Sequence, residues 1–181
     1  FDERLDDPVD GFRYPEPDLT FDEVLHLKVG SLEIEQRFLP GHSNCTSVVW
    51  IPALKTLLSA DYLVTPGMPY CRWQARDFER AIETLTTWTL QEGIERIVPA
   101  HESILEGRDA ILEALAAERD YMRVLRDQVQ QLAAVGVGAE IGTRQAARFM
   151  VVRRGSDLSG RRQDIDNARR MWAEEAESPS S

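Results

Sequence analysis

"LPGHSNCTSVVWIPALKTLLSADYL", residues 39–63, decides how this chain is read. It contains two short runs, "TSVVWIP" (46–52) and "KTLLSA" (55–60), parted by the turn Pro52-Ala53-Leu54. Apolar runs of this length bounded by turn residues read as strands. His42 lies in a Pro40-Gly41 turn just before the first run, and Asp61 directly follows the second.

The reading extends outward in both directions. Upstream, "VLHLKV" (24–29) and "LEIEQRFL" (32–39) flank the turn pair Gly30-Ser31, a β-hairpin with one face buried. Downstream, residues 62–74 contain two prolines and a glycine and read as a loop. A helix is predicted from Ala75, with Phe78, Ile82 and Leu85 at helical spacing, Ala81 and Trp88 beside them, and a stop at Gly93. Residues 94–101, "IERIVPAH", read as a buried strand that ends at a proline and delivers His101. A longer helix is predicted over 108–134, with Ile111, Leu115, Met122, Leu125, Val129 and Leu132 forming its apolar stripe and Asp109 favourably placed in its first turn. "VGVGAEIG" (135–142) reads as a break, followed by a short helix (143–151) and a charged one (161–177).

This order predicts an α/β architecture, a sheet layer capped by helices. Residues 1–20 read as an acidic, Pro-rich arm in which Pro8, Pro15 and Pro17 oppose a helix. Residues 135–181 read as a helical C-terminal extension.

Composition restricts the function classes. The chain has 181 residues, 43% hydrophobic and 29% charged, ordinary proportions for a globular domain. Its net charge of -10 argues against nucleic-acid or anionic-membrane binding, which needs clustered Lys and Arg. No apolar run approaches the ~20 residues of a membrane span. No signal peptide is visible and no initiating Met is present, so the compartment stays open, with the cytoplasm favoured. Cys45 and Cys71 form no CxxC or zinc-ribbon spacing and read as two buried free thiols, with a single disulfide as the alternative.

His42, Asp61 and His101 all stand at strand ends, where loops on a rigid sheet build sites. Imidazole and carboxylate suit zinc or iron, and a carboxylate can bridge two ions. His26 lies inside a predicted strand between Leu25 and Leu27 and reads as structural or exposed, not as a ligand.

The 39–63 stretch resembles the third and fourth motifs of the metallo-β-lactamase fold superfamily: a Pro-Gly-His turn, two strands parted by a short turn, then a small residue and Asp. "RIVPAHESI" resembles the fifth, usually Val-Pro-Gly-His-Gly. The three parts come in the family's order and at its spacing, with a helix between Asp61 and His101 as in the family, and the match covers about residues 20–115. The sequence departs at Ala60 and Ala100, where glycine is usual, and at Cys45, which the resemblance suggests packs beneath the metal loop.

The resemblance implies the C-terminal half of an αββα sandwich over residues 21–134. His42 would complete the site of the first metal, Asp61 would bridge the two metals and orient the nucleophile, and His101 would bind the second. Two zinc ions are expected, with iron or manganese as alternatives. The family's His-x-His-x-Asp-His motif is not among these residues, which contain three histidines in all. The expectation is therefore a split or cleaved hydrolase, its N-terminal half a partner chain carrying that motif. Metal-bound hydroxide would attack a small-molecule ester, lactone, thioester or amide, with Tyr62, Met68, Tyr70 and Trp73 as substrate contacts. The alternatives are an iron-dependent oxygenase of the same fold and a non-catalytic assembly subunit, homo-oligomeric through Leu125, Val129, Leu132, Phe149 and Met171.

Overall fold

The protein is described by a computed structural model covering residues 16–64, 67–155, 158 and 160–177. Most of the expected arm, residues 1–15, and the tail 178–181 lie outside the described residues.

Among the described residues, six strands form one sheet: β1 (Val24–Val29), β2 (Leu32–Phe38), β3 (Ser47–Ile51), β4 (Thr56–Ala60), β5 (Arg96–Pro99) and β6 (Leu105–Glu106). They lie in chain order. Neighbours are antiparallel except β4 and β5, which run parallel. A parallel pair needs a long crossover, and α1 (Ala75–Gln91) supplies it. Three further helices follow: α2 (Arg108–Ala134), α3 (Ala139–Arg153) and α4 (Arg161–Glu177).

Strand side chains alternate between faces, and here the two faces differ in burial. Val48, Trp50, Leu57 and Ile97 join one core with Phe78, Ile82 and Leu85 of α1 and Ile111, Leu115, Met122 and Leu125 of α2. Full burial of one such side chain contributes about 1.5–3 kcal/mol. The register aligns Leu25, Gln36, Val49, Leu58 and Val98 across the opposite face. Apart from Gln36 this row is apolar, and it is only partly covered among the described residues: Leu58 is 38% exposed.

The C-terminal helices belong to the same core. Ala146 and Met150 of α3 and Ala168 and Met171 of α4 are buried in it together with Leu125 and Val129. Leu132 packs against it, while Phe149 stays 41% exposed. Leu125, Val129 and Met171, expected on an oligomer interface, are therefore engaged within the chain. No helix among the described residues is long and apolar enough to cross a membrane.

Several sequence expectations need correction. The hairpin has no well-buried face: every β1 residue except Leu25 is exposed, because the core formed with the helices takes its strand residues from the central strands and leaves β1 outside. The break after α2 is four residues, not eight, and α3 starts at Ala139. Gly142 reads as a breaker in sequence but lies inside α3, where a Cβ would come 2.2 Å from the Trp172 ring of α4. It is there for close helix packing. Strand β6, only two residues long, is absent from the sequence expectations; it pairs with β5. Both cysteines are free, but only Cys71 is buried, and Cys45 is exposed on the turn after His42. A side chain facing solvent does not pack beneath the metal loop.

Candidate functional site

The turn that carries His42 is shaped by Gly41. Its φ is 152°, and a Cβ there would stand 2.7 Å from both the Phe78 Cα and the Tyr62 hydroxyl. Only glycine lets β2 hand the chain so closely over α1. His42 Nδ1 lies 2.8 Å from the Tyr70 carbonyl oxygen. A carbonyl only accepts, so Nδ1 carries the proton of this bond, and in the neutral ring the lone pair falls on Nε2.

Asp61 follows β4 in a tight turn. Ala60 (φ 51°) and Leu63 (φ 60°) are both left-handed in that turn. This explains why glycine suits the position before the aspartate; alanine there costs about 1–2 kcal/mol. The Ala100 N–H donates to the Ala60 carbonyl at 2.7 Å, tying the β5 exit to the same turn. The left-handed residue of that exit is Glu102 (φ 68°), not Ala100, so the alanine before His101 is unstrained in this respect.

The two imidazoles face different oxygens of one carboxylate. His42 Nε2 is 3.7 Å from Asp61 Oδ2, and His101 Nε2 is 3.5 Å from Oδ1. His42 is well covered at 13% side-chain exposure, whereas His101 is open at 70%. Two donors of one tetrahedral ion, each about 2.0–2.2 Å from it, lie roughly 3.3–3.6 Å apart. The Asp61 spacings are close to that range, and the donor chemistry suits zinc, iron or manganese. The residues present thus fit part of a metal site. Among the described residues, no group of three or more His, Cys, Asp or Glu side chains closes around a single metal position.

These three residues line one cavity of about 430 Å³, together with Met68, Tyr70, Arg72, Glu118 and Gln163. The expected substrate contacts therefore divide. Met68 and Tyr70 line the cavity, and Trp73 does not. Tyr62 is fully buried; its hydroxyl donates to the Leu39 carbonyl at 2.9 Å and its ring packs on Phe78 at 5.2 Å. Burial raises its pKa, which keeps it a neutral structural donor. Tyr62 thus supports the His42 turn from beneath and offers no substrate surface. Burial likewise pushes the Cys71 thiol up to about 12, so it is inert as a nucleophile. His26 sits exposed on β1, away from the cavity.

Glu118 is the site residue that sequence reading missed. It lies in α2, 1% exposed, and is among the residues that line the cavity. The Leu63 N–H donates to one oxygen, and Oε2 has no partner among the described residues. Burial pushes this carboxyl up to about 8, only partly opposed by the Leu63 bond. Its sequence signal is slight: a single Glu in "ALAAERDYM", one helical turn after the buried Ala114 and Leu115.

No protein-family model matches this chain, and no curated protein matches it in sequence. Solved structures do match in fold. A metallo-β-lactamase family protein from Thermus thermophilus aligns over 90% of this chain with a TM-score of 0.58 and 16% identity. The sec-alkylsulfatase Pisa1 from Pseudomonas sp. aligns over 88% with a TM-score of 0.58 and 18% identity. A metallo-β-lactamase from Pontibacter korlensis aligns over 60% with a TM-score of 0.49 and 20% identity. The chain spans 50%, 26% and 50% of the lengths of those three chains, respectively. One sheet with helices packed on one face, met at low identity but over nine-tenths of the chain, is a match of architecture. This chain has a metallo-β-lactamase-like α/β fold.

Proposed function

We propose that this chain carries one part of the donor set of a dinuclear metal-dependent hydrolase. The observation that carries the reading is the Asp61 carboxylate, whose two oxygens face His42 and His101 separately at a cavity wall. His42 and one Asp61 oxygen would hold one ion; His101 and the other oxygen would hold the second. Zinc is the expected metal, with iron or manganese as alternatives. Bound there, the metals supply Lewis acidity and a water whose pKa is lowered to about 7.

The chain's own groups have distinct tasks. Tyr70, through its carbonyl, takes the Nδ1 hydrogen bond of His42, so that the lone pair of the neutral ring falls on Nε2, toward the site. Asp61 stands between the two imidazoles, one carboxylate oxygen toward each. Met68, Tyr70 and Arg72 line the space for a small-molecule substrate. The substrate class is an ester, lactone, thioester or amide; the likeness to an alkylsulfatase adds sulfate esters to the screen.

Three donors leave both ions short, because a zinc site takes three or four protein ligands. The remaining donors would come from a His-x-His-x-Asp-His segment on a separate or cleaved chain. The open apolar face of the sheet supports this reading, since an apolar face of that kind gains from a second layer.

The test is native purification followed by intact mass and metal analysis. A second polypeptide bearing the motif, about two metal ions per pair, and hydrolysis that disappears in His42→Ala, Asp61→Asn and His101→Ala support the proposal. A single 20.6 kDa species without metal overturns it.

A further inference from the structure

The C-terminal helix α4 reaches the site through one side chain. Asn167 is fully buried. Its Nδ2 donates to the Pro69 carbonyl at 2.7 Å, and its Oδ1 accepts the Cys71 N–H at 2.8 Å. These bonds hold the backbone on both sides of Tyr70. The carbonyl between them, that of Tyr70, is the one that meets His42 Nδ1. The direction of the Asn167 amide is itself set by a third bond. Nδ2 also donates to the Tyr121 hydroxyl at 3.2 Å, and that hydroxyl donates onward to Asp164 Oδ1 at 2.7 Å. A flipped amide would point its oxygen at the Pro69 carbonyl and its NH2 at the Cys71 N–H, so the network admits one orientation.

Two more bonds close the arrangement. The Tyr70 hydroxyl donates to Asp166 Oδ2 at 3.1 Å, a second tie from the same loop residue to α4. The Arg72 N–H donates to the His42 carbonyl at 2.9 Å, fixing the His42 backbone to the same loop.

We infer that Asn167 is a positioning residue for His42: by clamping the Pro69 and Cys71 backbone it presents the Tyr70 carbonyl to Nδ1 and so leaves Nε2 as the donor facing Asp61. The helical extension is then part of the site's machinery. Its value to function rests on the reading of His42 as a metal donor, but the positioning itself does not.

The test is long-range 1H–15N NMR of the His42 ring in the metal-free chain. The pH is raised until the His42 ring nitrogens report a neutral ring. Wild type should show the proton on Nδ1. Asn167→Ala and Asn167→Asp should move the ring toward a mixture with the Nε2–H form. Asp166→Ala, a milder change at the second tie, should do so to a smaller degree, and Asp166→Asn, which keeps an acceptor, should restore the wild-type signal. Met171→Ala destabilises the same helix from the core and should lower Tm with the His42 signals unmoved. Should Asn167→Ala fail to fold, Asn167→Asp, which keeps an acceptor for the Cys71 N–H and loses the donor to the Pro69 carbonyl, still decides the matter. Unchanged His42 signals across the Asn167 and Asp166 variants, or an equal change in Met171→Ala, overturn the inference. In the metal-loaded pair, Asn167→Asp should weaken Zn2+ binding about 10–100-fold. A wild-type pair that binds no Zn2+ counts against the proposed hydrolase, while the metal-free NMR result still decides the role of Asn167.

Discussion

Replacing Glu118 with glutamine separates the cost of a buried carboxyl from everything else in this fold. The side chain is 1% exposed, and its pKa is raised from 4.5 to about 8 by burial. Between those values the folded chain keeps a proton that the unfolded chain has released, so rising pH favours unfolding. Stability is fully present below about pH 4.5 and is lost as pH climbs through about 8. One pKa unit is about 1.4 kcal/mol. The loss is then about 5 kcal/mol in all, of which about 2–3 kcal/mol falls between pH 5 and pH 7. Domains of this kind have total stabilities of about 5–15 kcal/mol, so the effect should dominate the alkaline side of the profile. Glutamine keeps an oxygen for the Leu63 N–H and never ionises. Urea unfolding of the chelator-treated chain at pH 5, 6, 7 and 8 measures the difference. The stability of Glu118→Gln relative to wild type should rise by about 2–3 kcal/mol from pH 5 to pH 7. Parallel profiles, or a difference that shrinks with pH, would refute the claim that this group is held protonated.

Four further outcomes are expected. Ala60→Gly removes left-handed strain of about 1–2 kcal/mol against about 0.4–1 kcal/mol of added unfolded-state entropy. The variant should gain up to about 1.5 kcal/mol by chemical denaturation, and a clear loss would contradict the strained turn. Gly41→Ala drives a Cβ to 2.7 Å from the Phe78 backbone, so a loss of at least about 1–3 kcal/mol is expected in the same assay. Gly142→Ala should destabilise by about 1–2 kcal/mol although alanine favours helices, because the Trp172 ring occupies the space; a gain in Tm would show that the ring swings away freely. In the metal-free chain, Asp61→Asn should leave Tm almost unchanged, since Asp61 is 36% exposed; in the proposed pair it should lower bound metal below that of wild type, measured by atomic emission.

Much of the fold was legible because its signals are local. The α1 stripe of Phe78, Ile82 and Leu85 and the α2 stripe from Ile111 to Val129 are buried as their spacing predicts. The strands on either side of Pro52-Ala53-Leu54 fall within a residue or two of their expected limits. What escaped involved partners distant in sequence. Gly142 looks like a helix breaker until Trp172 is placed against it. Tyr62 looks like a loop aromatic until the Leu39 carbonyl takes its hydroxyl. Strand β6 has two residues and exists only through its pairing with β5.

The candidate site divides in the same way. His42, Asp61 and His101 were named from the sequence because strand ends and the motif order mark them, and the structure brings all three to one cavity. Glu118 and Asn167 carried no such mark. One is a single acidic residue among many on a long helix. The other is a polar residue in a charged C-terminal segment that resembles a solvated appendage. Their significance comes from burial, and burial is decided by which elements pack together. Local periodicity and turn chemistry, written along the chain, therefore determined the strands, the two long helices and the places of His42, Asp61 and His101 at strand ends. Only tertiary packing could decide that Glu118 is buried beside the cavity, where burial raises its pKa, and that α4 folds back so that Asn167 brackets Tyr70 beside His42. A buried polar group must find its partners wherever the fold supplies them, and those partners lie 46 to 98 residues away for Asn167.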